Sequence, residues 1–207
     1  MNTKTGRALI ASAIIATLAL GGVVAGTFAL FSRQVSTTAH IKVGNLNFSF
    51  ARTKLVSNSL DAQGTISETV DNTVVDLSND GADALDVDGA VPGASYELTF
   101  KLSNTGATAF STVVSIPELS VKDDQDNNAP SDSSIYAATT VTFEATGATA
   151  VSYTLDQNRS DFQLPKLIKD GEQEFTMKVE IGDNAGNDAQ GLTINMGIQL
   201  VATQVTE

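Results

Sequence analysis

Polar and apolar residues alternate with a period of two along most of the chain. In Tyr96–Ser103 the even positions are apolar and the odd positions polar, which places the large side chains on one face of a strand. An Asn-Thr-Gly turn at 104–106 follows, and Phe110–Ile116 is predicted to be the returning strand. Phe175–Ile181 and Leu192–Leu200 alternate in the same way. The pattern predicts an all-β domain.

Shorter candidate strands complete the prediction, and they are Leu46–Phe50, Thr73–Leu77, Thr140–Ala145 and Val151–Leu155. About eight strands in a domain of this size favour two packed sheets, in a jelly-roll-like sandwich. The polar segments Ser57–Gly64 and Lys122–Ser134 are predicted to be weakly structured connections.

The first residues have the pattern of an export signal. Lys4 and Arg7 precede a long uncharged stretch, and the small residues Thr27 and Ala29 have the spacing that a signal peptidase requires. We therefore predict a signal helix in a signal peptide, 1–29, with cleavage before Leu30. An uncleaved anchor is the alternative, because about 20 apolar residues suffice to cross a bilayer. In either case the rest of the chain is expected outside the cytoplasm, secreted or at the cell surface.

Composition narrows the possible partners. After processing, about 178 of the 207 residues would remain, enough for one domain with a sizeable core. Removing Lys4 and Arg7 takes the formal net charge from −12 to −14. Nucleic acid and anionic membrane surfaces would be repelled, so neither is an expected partner, and no stable membrane association is expected after cleavage. The chain has no cysteine, so packing and strand pairing must hold the fold.

The sequence lacks the residue combinations that common enzyme active sites use. His40 is the only histidine, which excludes a two-histidine zinc site within one chain and leaves a Ser-His-Asp triad dependent on a strand-like segment. No phosphate-binding or dinucleotide-binding glycine motif is present. We therefore predict no catalytic residues, no cofactor and no enzymatic activity.

Calcium is the one metal to weigh. The segment 124–128 places oxygen ligands at alternate positions, as the start of an EF-hand loop does. The match then fails, because Ala129 stands where the turn requires Gly and Ile135 stands where a bidentate Glu is needed. The prediction is therefore no metal site.

The segment that follows the predicted cleavage site alternates almost without interruption. Its less polar face comprises Phe31, Arg33, Val35, Thr37, Ala39, Ile41 and Val43. Only Arg33 interrupts this face, and its stem can lie along apolar surface with the guanidinium at the rim. Such a strand must pair, either within its own domain or with the next subunit by β-augmentation. Pairing with the next subunit would be head-to-tail and would propagate a homopolymer.

Three blocks of the sequence resemble the TasA and camelysin family of exported proteins. The segment 26–48 is similar to the export signal and mature start of that family, with a Gly-Thr-Phe-Ala junction and a later Gly-Asn-Leu-Asn-Phe strand. The segment 91–106 resembles the family's Pro-Gly turn, strand and Asn-x-Gly turn, and 198–204 resembles its last strand. The resemblance covers about a third of the chain.

The resemblance implies a jelly-roll subunit of an extracellular fibre that supports a biofilm matrix. Assembly would insert the N-terminal strand into a neighbouring copy, so the expected organisation is signal peptide 1–29, donor strand 30–43 and β-sandwich 44–207. The expected partners are the signal peptidase and other copies of the chain, with an accessory or anchor protein left open. Two alternatives remain: an extracellular metalloprotease of the camelysin type and a monomeric cell-surface binding domain.

Overall fold

The structure is built almost wholly from strands. A computed structural model describes residues 35–43, 46–60, 66–79, 82–87, 91–123, 125–186, 189 and 192–205. The predicted signal peptide, and residues 30–34 of the predicted donor strand, lie outside these ranges. Strands account for 62% of the described residues and helices for 4%, which confirms the predicted all-β class.

The described elements are, in chain order, β1 (Val35–Val43), β2 (Phe48–Leu60), β3 (Ile66–Asp71), β4 (Val75–Asp76), β5 (Ala82–Val87), β6 (Ser95–Asn104), β7 (Phe110–Lys122), α1 (Ser134–Ala138), β8 (Thr139–Ala145), β9 (Val151–Thr154), β10 (Phe162–Leu167), β11 (Glu172–Ile181) and β12 (Thr193–Gln204).

These strands form two sheets. The five-stranded sheet has the order β10-β7-β12-β1-β5, and all its described pairings are antiparallel except that of β1 with β12. The seven-stranded sheet has the order β3-β2-β6-β11-β8-β9, with β4 paired to β2. Its pairings are antiparallel. The arrangement is that of an all-β sandwich.

Aromatic rings fill much of the space between the sheets. Phe100 and Phe175 are opposite each other on β6 and β11, and their ring centroids are 5.1 Å apart. Phe50 stacks on Phe100 at 5.4 Å, and Phe143 on β8 stacks on Phe162 of the other sheet at 5.7 Å. All five side chains are buried. Burial of each contributes about 1.5–3 kcal/mol to folding relative to exposure.

The even positions of β6 point into this core, as their alternation predicts, and those of β7 from Phe110 to Ile116 do the same. However, β7 continues past the predicted end at Ile116 as far as Lys122. Pro117 does not end it because the pairing with β12 shifts register between Gly197 and Gln199, beside Pro117. Proline is tolerated at such a bulge, where a ladder hydrogen bond is already missing.

Two predictions about connecting segments and one about a strand need correction. Ser57–Gly64 is not a weakly structured connection throughout, because β2 continues to Leu60 and pairs with both β6 and β3. Thr73–Leu77 contains only the two-residue strand β4. In Lys122–Ser134, backbone bonds join Asp123 to Asn127 and Ala129 to Val121, so part of this segment has a defined backbone.

Asn104 joins the two sheets at the end of β6. Its side-chain nitrogen donates to the carbonyl oxygens of Thr108 (2.9 Å), Ile168 (3.1 Å) and Leu167 (3.3 Å), and its Oδ1 accepts the Gly106 amide at 2.9 Å. The residue is 2% exposed. The Asn-Thr-Gly segment therefore does more than form a turn, because it connects β6 to the region where β10 ends.

We predict that Asn104→Ala lowers the free energy of unfolding by about 2–3 kcal/mol, since it leaves several buried backbone groups without a partner. Urea denaturation measures the change. The matched control is Asn58→Ala, which removes a single 3.4 Å hydrogen bond to Ser95 and should cost less than about 0.5 kcal/mol. Equal losses for the two variants would contradict the role assigned to Asn104.

Candidate assembly site at the first strand

The predicted donor strand occupies an interior position of the five-stranded sheet. Its described part, β1, pairs in parallel with β12 from Val35 opposite Ile194 to Val43 opposite Ala202. On its other side β1 pairs antiparallel with β5, with a register shift between Thr37 and Thr38. In a single chain, β1 therefore pairs within its own domain. The sequence left this arrangement open as the alternative to pairing with the next subunit.

The register matches the less polar face of β1 to the buried row of β12. Residues 35, 37, 39, 41 and 43 lie opposite Ile194, Met196, Ile198, Leu200 and Ala202, all of which are buried. Thr37 is 0% exposed. Phe31 and Arg33, the other members of the predicted face, lie outside the described residues. The backbone of His40 lies opposite Gln199.

The two neighbours of β1 are held in different ways. β12 pairs with β7 along almost its whole length, from Thr193 to Gln204. β5 has β1 as its only sheet partner among the described strands. Its side chains Ala84 and Leu85 are nevertheless buried in the core. The position that β1 fills between β12 and β5, called the slot below, is thus one strand wide. On one side β12 is held by its pairing with β7, and on the other side β5 is held by side-chain packing.

Arg52 supplies a further connection to β5. Its Nη1 donates to the Ala84 carbonyl at 3.3 Å, and its Nη2 forms a 3.0 Å ion pair with Asp71 Oδ2. Hydrogen bonds from Thr73 hold the pKa of Asp71 below its usual value, and the Arg52 charge acts in the same direction. The pairing of β2 with β6 shifts by one residue between Arg52 and Lys54. Arg52 therefore joins the seven-stranded sheet to β5.

Sequence reasoning missed Arg52 because the predicted strand stopped at Phe50. The signal that could have found it is a charge that continues the apolar phase of Phe48 and Phe50. A charged residue at an inward position requires hydrogen-bonded partners, and here those partners come from β5 and from the end of β3.

The other titratable groups considered are two buried tyrosines and an aspartate that is hydrogen-bonded to the backbone. Burial raises the pKa of Tyr96 and that of Tyr153 to about 12, so both phenols are neutral at physiological pH. Directly before the segment considered for calcium, 124–128, the Asp123 carboxylate accepts hydrogen bonds from the backbone amides of Gln125 (2.9 Å) and Asn127 (2.8 Å). Nowhere in the described part of the chain do three or more His, Cys, Asp or Glu side chains gather closely enough to hold a metal ion.

Within the described ranges, no helix has the length and apolar character needed to cross a bilayer.

No protein-family model and no curated protein matches the chain. Among solved structures it is similar to the ASH / PapD-like domain 7 of human CEP192, with 16% identity, 56% of this chain and 75% of that chain covered, and a TM-score of 0.26. It is also similar to the yeast delta-COP-I mu-homology domain, with 9% identity, 82% of this chain and 93% of that chain covered, and a TM-score of 0.25. A variant of the major pilin of Streptococcus pyogenes is similar with 10% identity, 81% of this chain and 48% of that chain covered, and a TM-score of 0.20. Similarities this weak assign no function.

Thr37 has a buried hydroxyl for which the described residues provide no hydrogen-bond partner. An unpaired buried hydroxyl costs roughly 1–3 kcal/mol. We predict that Thr37→Val raises the free energy of unfolding by about 1 kcal/mol, measured by urea denaturation. Thr112→Val is the matched control, because Thr112 lies on β7 and has the same kind of unpaired, buried hydroxyl. Destabilisation by Thr37→Val alone would contradict this account and indicate that its hydroxyl is bonded.

Proposed function

We propose that the protein is a secreted structural subunit of an extracellular fibre or pilus, polymerising when the strand at 30–43 of one copy enters the sheet of the next. The precursor is exported by the signal segment 1–29 and cleaved between Ala29 and Leu30. The remaining chain forms a sandwich with a jelly-roll-like connection of strands. The fibre is part of a biofilm matrix or of the cell surface.

The observation that carries the proposal is the position of β1. The first described strand of the chain fills an interior slot rather than an edge, between the last strand and β5. Without β1, one edge of β12 would have no strand to pair with, and β5 would have no described sheet partner. The slot therefore requires a strand with this alternation, and an identical copy of the chain carries one.

Chain connectivity supports an exchange of strands. β1 belongs to the five-stranded sheet and the next strand, β2, belongs to the seven-stranded sheet, with the short segment 44–47 between them. β1 therefore forms no hairpin with its successor. Exchange of an identical element between subunits re-forms the same contacts and needs a change only in the connecting segment.

A second candidate is a monomeric cell-surface binding domain. The specific observation in its favour is that β1 is paired on both sides within its own chain. In that case the slot is permanently filled and no strand is donated.

The first test is whether the processed chain assembles. We predict that purified protein beginning at Leu30 forms filaments visible by negative-stain electron microscopy. Deletion of 30–40 should abolish them, because the slot then has no strand to receive. Wild-type protein that stays monomeric at high concentration would contradict the fibre function and favour the monomeric domain.

The second test determines where β1 pairs. The native chain has no cysteine, so His40→Cys together with Gln199→Cys creates a single possible disulfide across the β1–β12 pair. Adjacent strands are about 4.8 Å apart, within the range that a disulfide spans. Oxidised before assembly, this variant cannot donate β1 and should form no strand-exchanged filaments, and under reducing conditions it should form filaments like the wild type.

Oxidation after assembly gives the decisive result. If β1 is donated in the same register, each disulfide joins two subunits, and a denaturing gel should show a ladder of covalent multimers. Filaments that yield only internally linked monomers would show that the fibre forms by another contact, and strand donation would be wrong even though the fibre function holds.

A further inference from the structure

Exposed apolar residues are concentrated at two places on the surface. Among the described residues, the large apolar side chains most open to solvent are Ile66 (61%), Val70 (46%), Val74 (65%) and Ile168 (61%). The first three belong to β3 and the turn that follows it. Ile168 follows β10. Scattered exposed apolar residues are ordinary, but a cluster on a sheet edge requires an explanation.

β3 is an exposed edge strand. It is the outermost strand of the seven-stranded sheet, and its first five residues are all exposed. Natural edges are usually blunted by a proline, a lysine or short length. β3 has neither a proline nor a lysine and runs for six residues, whereas β10 contains Pro165 and Lys166, and β9 has four residues. Glu68 gives this exposed face of β3 a negative charge, whereas the Asp71 carboxylate on the other face is paired with Arg52.

The corner after β10 carries two lysines and one aspartate, Asp170. Lys166 and Lys169 are exposed on either side of the exposed Ile168. Neither lysine forms an ion pair with a residue that the structure describes. Asp170 follows them with a left-handed backbone (φ 57°), so the chain turns sharply here before β11. An apolar side chain between two lysines is complementary to an apolar, acidic strand edge.

The two surfaces lie at opposite ends of β2. The Ile168 carbonyl accepts a hydrogen bond from Asn104, which lies opposite Phe48 at the start of β2. β3 pairs with the other end of β2, from Leu55 to Leu60. Because a strand rises about 3.3 Å per residue, more than about 20 Å separates the two surfaces, so they cannot meet within a chain but can meet between chains.

We propose that the β3 edge of one copy binds the Lys166–Lys169 corner of a second copy. Ile168 packs on Ile66 and Val70, and the lysines lie beside Glu68, which is on the same face of β3. Because the two surfaces differ, the contact is head-to-tail and extends into rows of subunits. It uses neither β1 nor its slot, so it is a lateral contact distinct from strand donation.

The test uses the full processed chain with the oxidised His40→Cys, Gln199→Cys disulfide, which removes strand exchange from the measurement. Sedimentation velocity over increasing protein concentration should show association that weakens in high salt, where exposed charges are screened. The variant pairs Ile66→Ser, Val70→Ser and Lys166→Ser, Ile168→Ser should each weaken it about tenfold or more, as loss of a central apolar anchor does. Lys178→Ser should leave the association unchanged, because this half-exposed lysine pairs with Glu180 on β11, outside both surfaces.

Mixing the two variant pairs tests the geometry. Each variant retains one intact surface, so an equimolar mixture should form a complex of two chains that cannot extend further. A locked chain that stays monomeric up to about 1 mM would overturn the proposal, since even weak interfaces associate there. Association that survives both variant pairs would also overturn it. These outcomes do not depend on whether strand donation occurs.

Discussion

The structure depends on one constraint, which is that an interior position of a sheet must be filled. β1 satisfies the backbone groups that β12 and β5 direct toward the slot, and it lies along the buried row of β12. Unpaired backbone groups and exposed apolar side chains both cost free energy. The core therefore needs a strand here, but backbone pairing does not distinguish a strand of the same chain from that of an identical copy.

That equivalence makes the choice between monomer and polymer a balance of small terms. Intramolecular and intermolecular insertion bury the same residues in the same slot, so their contact energies largely cancel. What remains is the conformational freedom of the segment between β1 and β2 and the subunit concentration. The unpaired Thr37 hydroxyl is buried in both arrangements, so its cost cancels as well.

The two strands that flank the slot, β12 and β5, are held in place by different interactions. β12 is paired with β7 along almost its whole length, so it belongs to the sheet whether β1 is present or not. β5 relies on buried Ala84 and Leu85 and on the bond from Arg52 to the Ala84 carbonyl. Arg52 is itself constrained by its ion pair with Asp71. A charge inside the sandwich thus connects the two sheets beside the position where β1 enters.

Sequence determined the class of the fold and the faces of its best strands. Alternation is a local property, so Tyr96, Leu98, Phe100 and Leu102 could be assigned to the core without knowing what they pack against. The tertiary structure decided what local pattern cannot encode: Pro117 is tolerated because a bulge lies beside it, Arg52 is buried because β5 supplies its acceptor, and Ser57 to Leu60 are strand because β3 and β6 flank them. It also decided the partners of β1, since alternation specifies that a strand must pair but not with which neighbour.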